Sequence, residues 1–167
     1  MKINFPKLRD IISVLKDARI IWIIGNGGSA SLADHFACDL LKNCGLPAIS
    51  LCSNSALITA VANDYDYKRI FSKQLEVLLK KEDVLIALST RGDSLNIIEA
   101  AKYCYTHSGY YRTIVGIAGF DGGELKNWSS IFYHIDSCNM QTCEDEMNKL
   151  CHEISGLLRP YDELEDN

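Results

Sequence analysis

Missing from this 167-residue sequence is any apolar run approaching the roughly 20 residues of a membrane-spanning helix. Its start, "MKINFPKLRD", lacks the basic-then-apolar layout of a signal peptide. Basic residues are not in excess: 17 Lys and Arg stand against 22 Asp and Glu, for a formal net charge of −5. That balance excludes a general electrostatic attraction to nucleic acid. Only three prolines occur, and neither an internal repeat nor a low-complexity linker divides the chain. A single domain over 1–167, large enough for a substantial core, is therefore expected. None of the seven cysteines forms a C-x-x-C pair, and their number is odd. With no export signal, they read as reduced thiols serving as small hydrophobes in a cytoplasmic protein, not as a disulfide framework.

What is present alternates. "RIIWIIG" (19–25), "PAISLC" (47–52), "DVLIALS" (83–89), "TIVGIAG" (113–119) and "IFYHID" (131–136) are short, apolar and β-rich. Continuous apolar runs suit strands buried on both faces of a parallel sheet. Helical patterns lie between them, at about 29–43, 54–62, 66–80, 94–107 and 122–127, with a last helix over 138–158. An amphipathic segment, 5–17, precedes everything, and "RPYDELEDN" reads as a frayed acidic tail over 160–167. Alternating strands and helices predict an α/β sandwich with right-handed crossovers. Ligands then bind beyond the carboxyl ends of the strands. The loops there, "GNGGS", "CSNS", "STRGDS" and "GFDGGE", are all rich in Gly, Ser, Asn or Asp.

"STRGDS" (89–94) leaves a strand and opens a helix. Ser89, Thr90 and Ser94 offer hydroxyl donors, and the glycine at 92 allows backbone N–H groups to turn inward. The free N–H groups and dipole of the helix start would complete a dianion site. Arg91 can add charge or point outward to a partner. The same residues also read as a simple Ser/Asp cap. No Walker ending is present, and "GNGGSA" lacks the dinucleotide spacing, so no nucleotide cofactor is expected.

His35 and Asp39 lie four apart, one turn apart on one helical face. They form either an inward-looking acid–base pair or a local surface hydrogen bond. On the last helix, Glu144, Asn148 and His152 share a stripe. His35, Asp39, Glu144 and His152 together make a plausible divalent-metal set. Eight residues of helix rise about 12 Å, so Glu144 and His152 share one ion only through an irregular helix, stretched side chains or different subunits. His107 and His134 have no such company and read as surface or core-edge residues.

"GNGGSASLADHFACDLL", "LPAISL", "LITAVANDYDYKRIFSKQLEVL", "DVLIALSTRGDS", "GIAGFDGGELK" and "MQTCEDEMNKLCHEI" resemble the SIS (sugar isomerase) domain, and within it the phosphoheptose isomerases. The resemblance runs from about residue 18 to 158. It implies a three-layer α/β/α sandwich with a flavodoxin-like five-stranded parallel sheet, and a homo-oligomer, commonly a tetramer, with sites between subunits. It implies isomerisation of sedoheptulose 7-phosphate to the heptose aldose through an enediol(ate). Carried over by motif, Asp39 and His152 are catalytic. Asn26, Gly27, Gly28, Ser29, Asn63, Asp64, Ser89, Thr90, Arg91, Ser94 and Glu144 bind substrate. His35, Asp39, Glu144 and His152 stand where some members bind zinc.

Several positions depart from that pattern. Asp39 replaces a glutamate, Glu144 a glutamine, and Met147 a residue that is often histidine. "STRGDS" replaces Ser-Thr-Ser-Gly-Asn-Ser, which sets Asp93 beside the expected phosphate. A similar arginine, and a stretch like "GFDGGEL", occur in the non-enzymatic branch that binds the bacterial replication initiator. That branch lacks the acid and the histidine present here at 39 and 152. A non-catalytic scaffold or a phosphosugar sensor is accordingly the alternative. About 18 residues precede the first strand, fewer than in relatives, which implies a trimmed helical bundle or a different oligomer, such as a dimer.

Overall fold

The structure, a computed structural model, describes residues 5–106 and 113–160. Five strands appear where apolar runs were read: β1 (Ile21–Ile24), β2 (Ala48–Ser50), β3 (Val84–Leu88), β4 (Thr113–Ala118) and β5 (Ile131–His134). All pair in parallel, in the order β2-β1-β3-β4-β5. Helices α1 (Phe5–Lys16), α2 (Gly28–Cys44), α3 (Ser55–Asp64), α4 (Ser72–Leu78), α5 (Leu95–Thr106), α6 (Leu125–Trp128) and α7 (Met140–Leu158) complete the expected sandwich. Among the described residues, no helix is long and apolar enough to cross a membrane.

Strand alternation builds two cores. Ile21 and Ile23 of β1 join Val84, Ile86 and Leu88 of β3 on one face. There they pack with Leu8, Phe36, Leu40, Leu150 and Ile154 from α1, α2 and α7. Trp22, Ile24, Leu85 and Ala87 point the other way, against Val61, Phe71, Leu75, Ile97 and Leu125 from α3 to α6. Every residue of β1 and β3 is buried, which is why neither strand shows a polar alternation.

Two helix expectations changed. The span read as 66–80 is broken: Asp66 accepts from Lys68 N and opens a short 3-10 turn, Tyr67–Arg69, before α4 begins at Ser72. The tighter winding sends two neighbouring residues, Ile70 and Phe71, into the core together. The span read as 122–127 starts at Leu125, because Gly122 and Gly123 adopt positive φ and are used in the turn. At the far end, α7 stops two residues before Pro160, and Arg159 is extended, as a residue before proline is driven to be. Residues 161–167 of the anticipated tail, and His107, lie outside the described residues.

The amino-terminal ends of the central strands β1 and β3 are braced by Asp83, 2% exposed. Its Oδ2 accepts from Arg19 Nη2 (2.8 Å), Trp22 Nε1 (2.9 Å) and Lys80 N (2.8 Å). Asp83→Ala leaves these donors without their acceptor and should cost about 3 kcal/mol. Urea unfolding should show the loss as a lower midpoint with an unchanged slope. A loss under about 1 kcal/mol would mean that other acceptors replace Asp83.

None of the seven cysteines forms a disulfide. Burial, and then the Asp39 carboxylate, push the Cys151 thiol far above its ordinary range. Burial also raises Cys52, opposed in part by hydrogen bonding with the Ser50 side chain and the Gly25 backbone. A chromogenic disulfide reagent at neutral pH should therefore titrate exposed Cys38 and Cys138 rapidly. Buried Cys44, Cys104, Cys143 and Cys151, and half-buried Cys52, should lag until the chain unfolds. Rapid reaction of all seven would contradict this packing.

Candidate active site

In the order β2-β1-β3-β4-β5 the strand sequence reverses at β1, so the loops after β1 and β3 diverge and open a crevice. The loop after β1 turns sharply through Gly27, whose φ of 53° and ψ of −122° suit glycine alone. Asn26 O accepts from Ser29 N at 3.0 Å and starts α2 there. Gly28, the first residue of α2, lies against Glu144 of α7. A Cβ added to Gly28 would sit 3.0 Å from Glu144 Oε1. Between the two helices runs a cleft of about 300 Å³, lined by Gly28, Ser29, Ser31, His35, Glu144 and Asn148.

Further along the same pair of helices, His35, Asp39 and His152 converge. Their ligand atoms all lie within 4.8 Å of one another. The two Nε2 atoms are 3.0 Å apart, so one carries the hydrogen that the other accepts. Asp39 Oδ2 stands 3.5 Å from His35 Nε2 and 3.9 Å from His152 Nε2. Its other oxygen, Oδ1, accepts from Asn43 Nδ2 at 3.1 Å. The carboxylate is thereby oriented: one oxygen is tied back, and the other faces both imidazoles. Its side chain is 15% exposed, while both rings are about half exposed. One face of the group is therefore open to a ligand.

Two imidazoles and a carboxylate suit zinc. Zn–N bonds of about 2.0–2.1 Å at a tetrahedral angle place two nitrogens about 3.3 Å apart, close to the spacing found here. Glu144, expected as a fourth member, is not in this group; its carboxylate is taken up against Gly28. Helix α7 is continuous from Met140 to Leu158, and a regular helix separates positions 144 and 152 by about 12 Å.

The loop after β3 has its own internal scaffold. Ser89, buried, accepts Gly92 N on its Oγ at 3.1 Å. Thr90 Oγ1 meets Met140 Sδ at 3.4 Å, at the start of α7. Half-buried Ser94 accepts Ile98 N and begins α5. The exposed Arg91 guanidinium lies 5.2 Å over the Phe120 ring. Asp93 turns to the loop after β4, where its Oδ1 accepts Glu124 N at 2.9 Å. Leu125 N donates to Gly92 O and Gly119 N to Thr90 O, both at 2.9 Å. Gly92, at φ 77°, has no room for a Cβ beside the Gly122 carbonyl. Arg91 and Asp93, the two departures from the expected loop pattern, are thus engaged in lacing the loops after β3 and β4 together.

Other predicted residues take separate places. Asn63 and Asp64 close α3 and bond to each other at 2.8 Å. From that segment it is exposed Tyr67 whose hydroxyl reaches Asn26, at 3.2 Å. Met147 is fully buried in the core. His134 Nε2 donates to Phe120 O at 2.7 Å, which makes it a support of the loop after β4. Three residues were missed: Asn43, Asn96 and Tyr67. Asn43 was accessible, since 35, 39 and 43 continue one helical stripe. Tyr67 lies within the quoted stretch that begins at Leu57 but has no role assigned there, Asn96 lies in no quoted motif, and the fold brings both to Asn26.

The SIS-domain model matches residues 7–111. This chain belongs to the SIS-domain family. Within it the chain falls among the phosphoheptose isomerases. It is 33% identical to the phosphoheptose isomerase of Burkholderia pseudomallei over 153 residues, 89% of this chain and 76% of that protein. It is 44% identical to the Helicobacter pylori (strain P12) phosphoheptose isomerase over 126 residues, 72% of this chain. That match spans 64% of the relative's length, under two thirds. The structure of phosphoheptose isomerase GmhA from Neisseria gonorrhoeae superposes with a TM-score of 0.87 at 27% identity, covering 94% of this chain and 88% of that one.

If Asp93 acts as a brace between loops, its acceptor oxygen matters more than its charge. Asp93→Ala should lower stability by about 1 kcal/mol, and Asp93→Asn by a few tenths. Thermal unfolding of both variants checks this. Equal losses in the two would assign the role to the charge.

Proposed function

We propose that this SIS-domain protein is an aldose–ketose isomerase of sugar phosphates, converting sedoheptulose 7-phosphate to D-glycero-D-manno-heptose 7-phosphate. The observation that carries the reading is the convergence of His35, Asp39 and His152 beside the strand-end loops. The phosphoheptose isomerase relatives support the same chemistry.

The phosphate binds at Ser89, Thr90 and Ser94 and the amino terminus of α5, with Asn26, Gly27, Gly28 and Ser29 along the sugar chain. Asn63, Asp64 and Glu144 meet the sugar hydroxyls, and Arg91 adds positive charge at the loop. With the phosphate anchored, remote binding energy orients the reacting carbons. Asp39 removes a proton from C1 of the ketose, and His152 protonates the C2 carbonyl oxygen. The resulting enediol takes the proton back at C2 from Asp39 and passes the O1 proton to His152, which leaves the C1 aldehyde and restores both side chains. Asn43 keeps one carboxylate oxygen tied, so the oxygen facing the histidines is the one that exchanges the proton. A divalent metal held by His35, Asp39 and His152 would polarise the carbonyl or fix the hydroxyls.

The proposal extends to a cytoplasmic homo-oligomer. Exposed Leu41, Ile49 and Leu57 support a protein-covered face on α2, β2 and α3.

Purified protein incubated with sedoheptulose 7-phosphate should yield the aldose, followed by NMR with and without added zinc. Asp39→Asn should lower kcat by about 10²–10⁴-fold, because the amide cannot take the proton. Absence of turnover by the unmodified chain under both conditions would overturn the reading.

A further inference from the structure

Two amides bridge the crevice where the strand order reverses. Asn26 belongs to the loop after β1, and Asn96 to the first turn of α5, after the loop that leaves β3. Asn26 Nδ2 donates to Asn96 Oδ1 at 2.8 Å, and Asn96 Nδ2 donates to Asn26 Oδ1 at 2.7 Å. The Tyr67 hydroxyl adds a third bond, to Asn26 Oδ1 at 3.2 Å. Asn96 Oδ1 also accepts Ile97 N at 3.0 Å.

This geometry does more than join two loops. In a reciprocal amide pair, flipping either side chain sets oxygen against oxygen and nitrogen against nitrogen. Asn96 is 2% exposed, so water has little access to repair such a mismatch. The plane of the Asn26 amide is consequently set from behind. An amide nitrogen carries two hydrogens: Asn96 takes one, and the other is the donor that half-buried Asn26 can present to a ligand. The same pair holds the first loop at a constant distance from the start of α5. An apolar residue at 96 would pack on the core face without setting either orientation.

We propose that Asn96, assisted by Tyr67, is a positioning residue for sugar-phosphate binding. It acts through Asn26, aligning donors from the two sides of the switch point on one substrate. This rests on the reading of the crevice as a sugar-phosphate site.

A double-mutant cycle tests it, with Asn26→Ala, Asn96→Ala and the double variant assayed on sedoheptulose 7-phosphate. Asn96→Ala should lower kcat/KM about tenfold, chiefly through KM, as expected for one misdirected hydrogen bond. In the Asn26→Ala background the same change should cost less than about twofold, because its route is already gone. Tyr67→Phe keeps the ring and should cost about two- to threefold. Should Asn96→Ala fail to fold, Asn96→Asp, which keeps the shape but loses the donor, and Tyr67→Phe carry the cycle. Fully additive losses, or a lower unfolding temperature with KM unchanged, would overturn the proposal and leave Asn96 as a packing residue. If the unmodified chain binds sedoheptulose 7-phosphate without turning it over, the isomerase reading fails by itself. The cycle is then read on calorimetric affinity, where the same coupling is expected and its absence overturns the positioning role. A chain that binds neither this sugar phosphate nor inorganic phosphate would overturn both.

Discussion

Strand β1 lies between β2 and β3, so the chain leaves it in one direction and leaves β3 in the other. Because each crossover is right-handed, α2 is laid on one face of the sheet and α5 on the opposite face. The loops feeding those helices must part at the carboxyl edge. Their backbone groups cannot satisfy one another across the gap, so polar side chains or a ligand must do so. Asn26, Asn96 and Tyr67 do part of this within the chain.

The site proposed here has two halves with different mechanical supports, one proposed for the phosphate and one for acid–base chemistry. The phosphate half consists of loops, and it is stiffened by other loops. Asp93 holds the Glu124 N–H, Gly92 O the Leu125 N–H, and Arg91 covers Phe120. The acid–base half stands on helices. His35 and Asp39 come from α2 and His152 from α7, and the two helices are pinned by the core that contains Phe36, Leu40, Cys151 and Ile154. Along α2, the step from Gly28 to His35 is about 10 Å.

Much of this was legible in one dimension. Apolar runs marked every strand, because a strand buried on both faces needs no alternation. Glycine-rich loops marked the rim, because a close turn at a strand end excludes side chains. Spacing of four put His35 and Asp39 together; Asn43 continues the same stripe but went unread there, because an asparagine on a helix surface signals no chemistry by itself. Boundaries were less clear where several local preferences competed. The 3-10 turn at Tyr67–Arg69 interrupts a stretch that reads as helix, and two glycines shorten α6. Asp93 looked out of place beside a phosphate. Nothing local indicates that its partner is an N–H thirty-one residues away.

By itself, the amino-acid order determined the alternation of strands and helices, the inward face of each, and which residue types crowd the strand ends. These follow from hydrophobic periodicity and backbone stereochemistry, which act over a few residues. Tertiary structure alone decided which candidates meet. It brought His152 to His35 across 117 residues and Asn96 to Asn26 across 70. It set Glu144 beside Gly28, outside the histidine–aspartate group. Such choices depend on helix crossing and loop packing set by the whole core, and no local spacing encodes them.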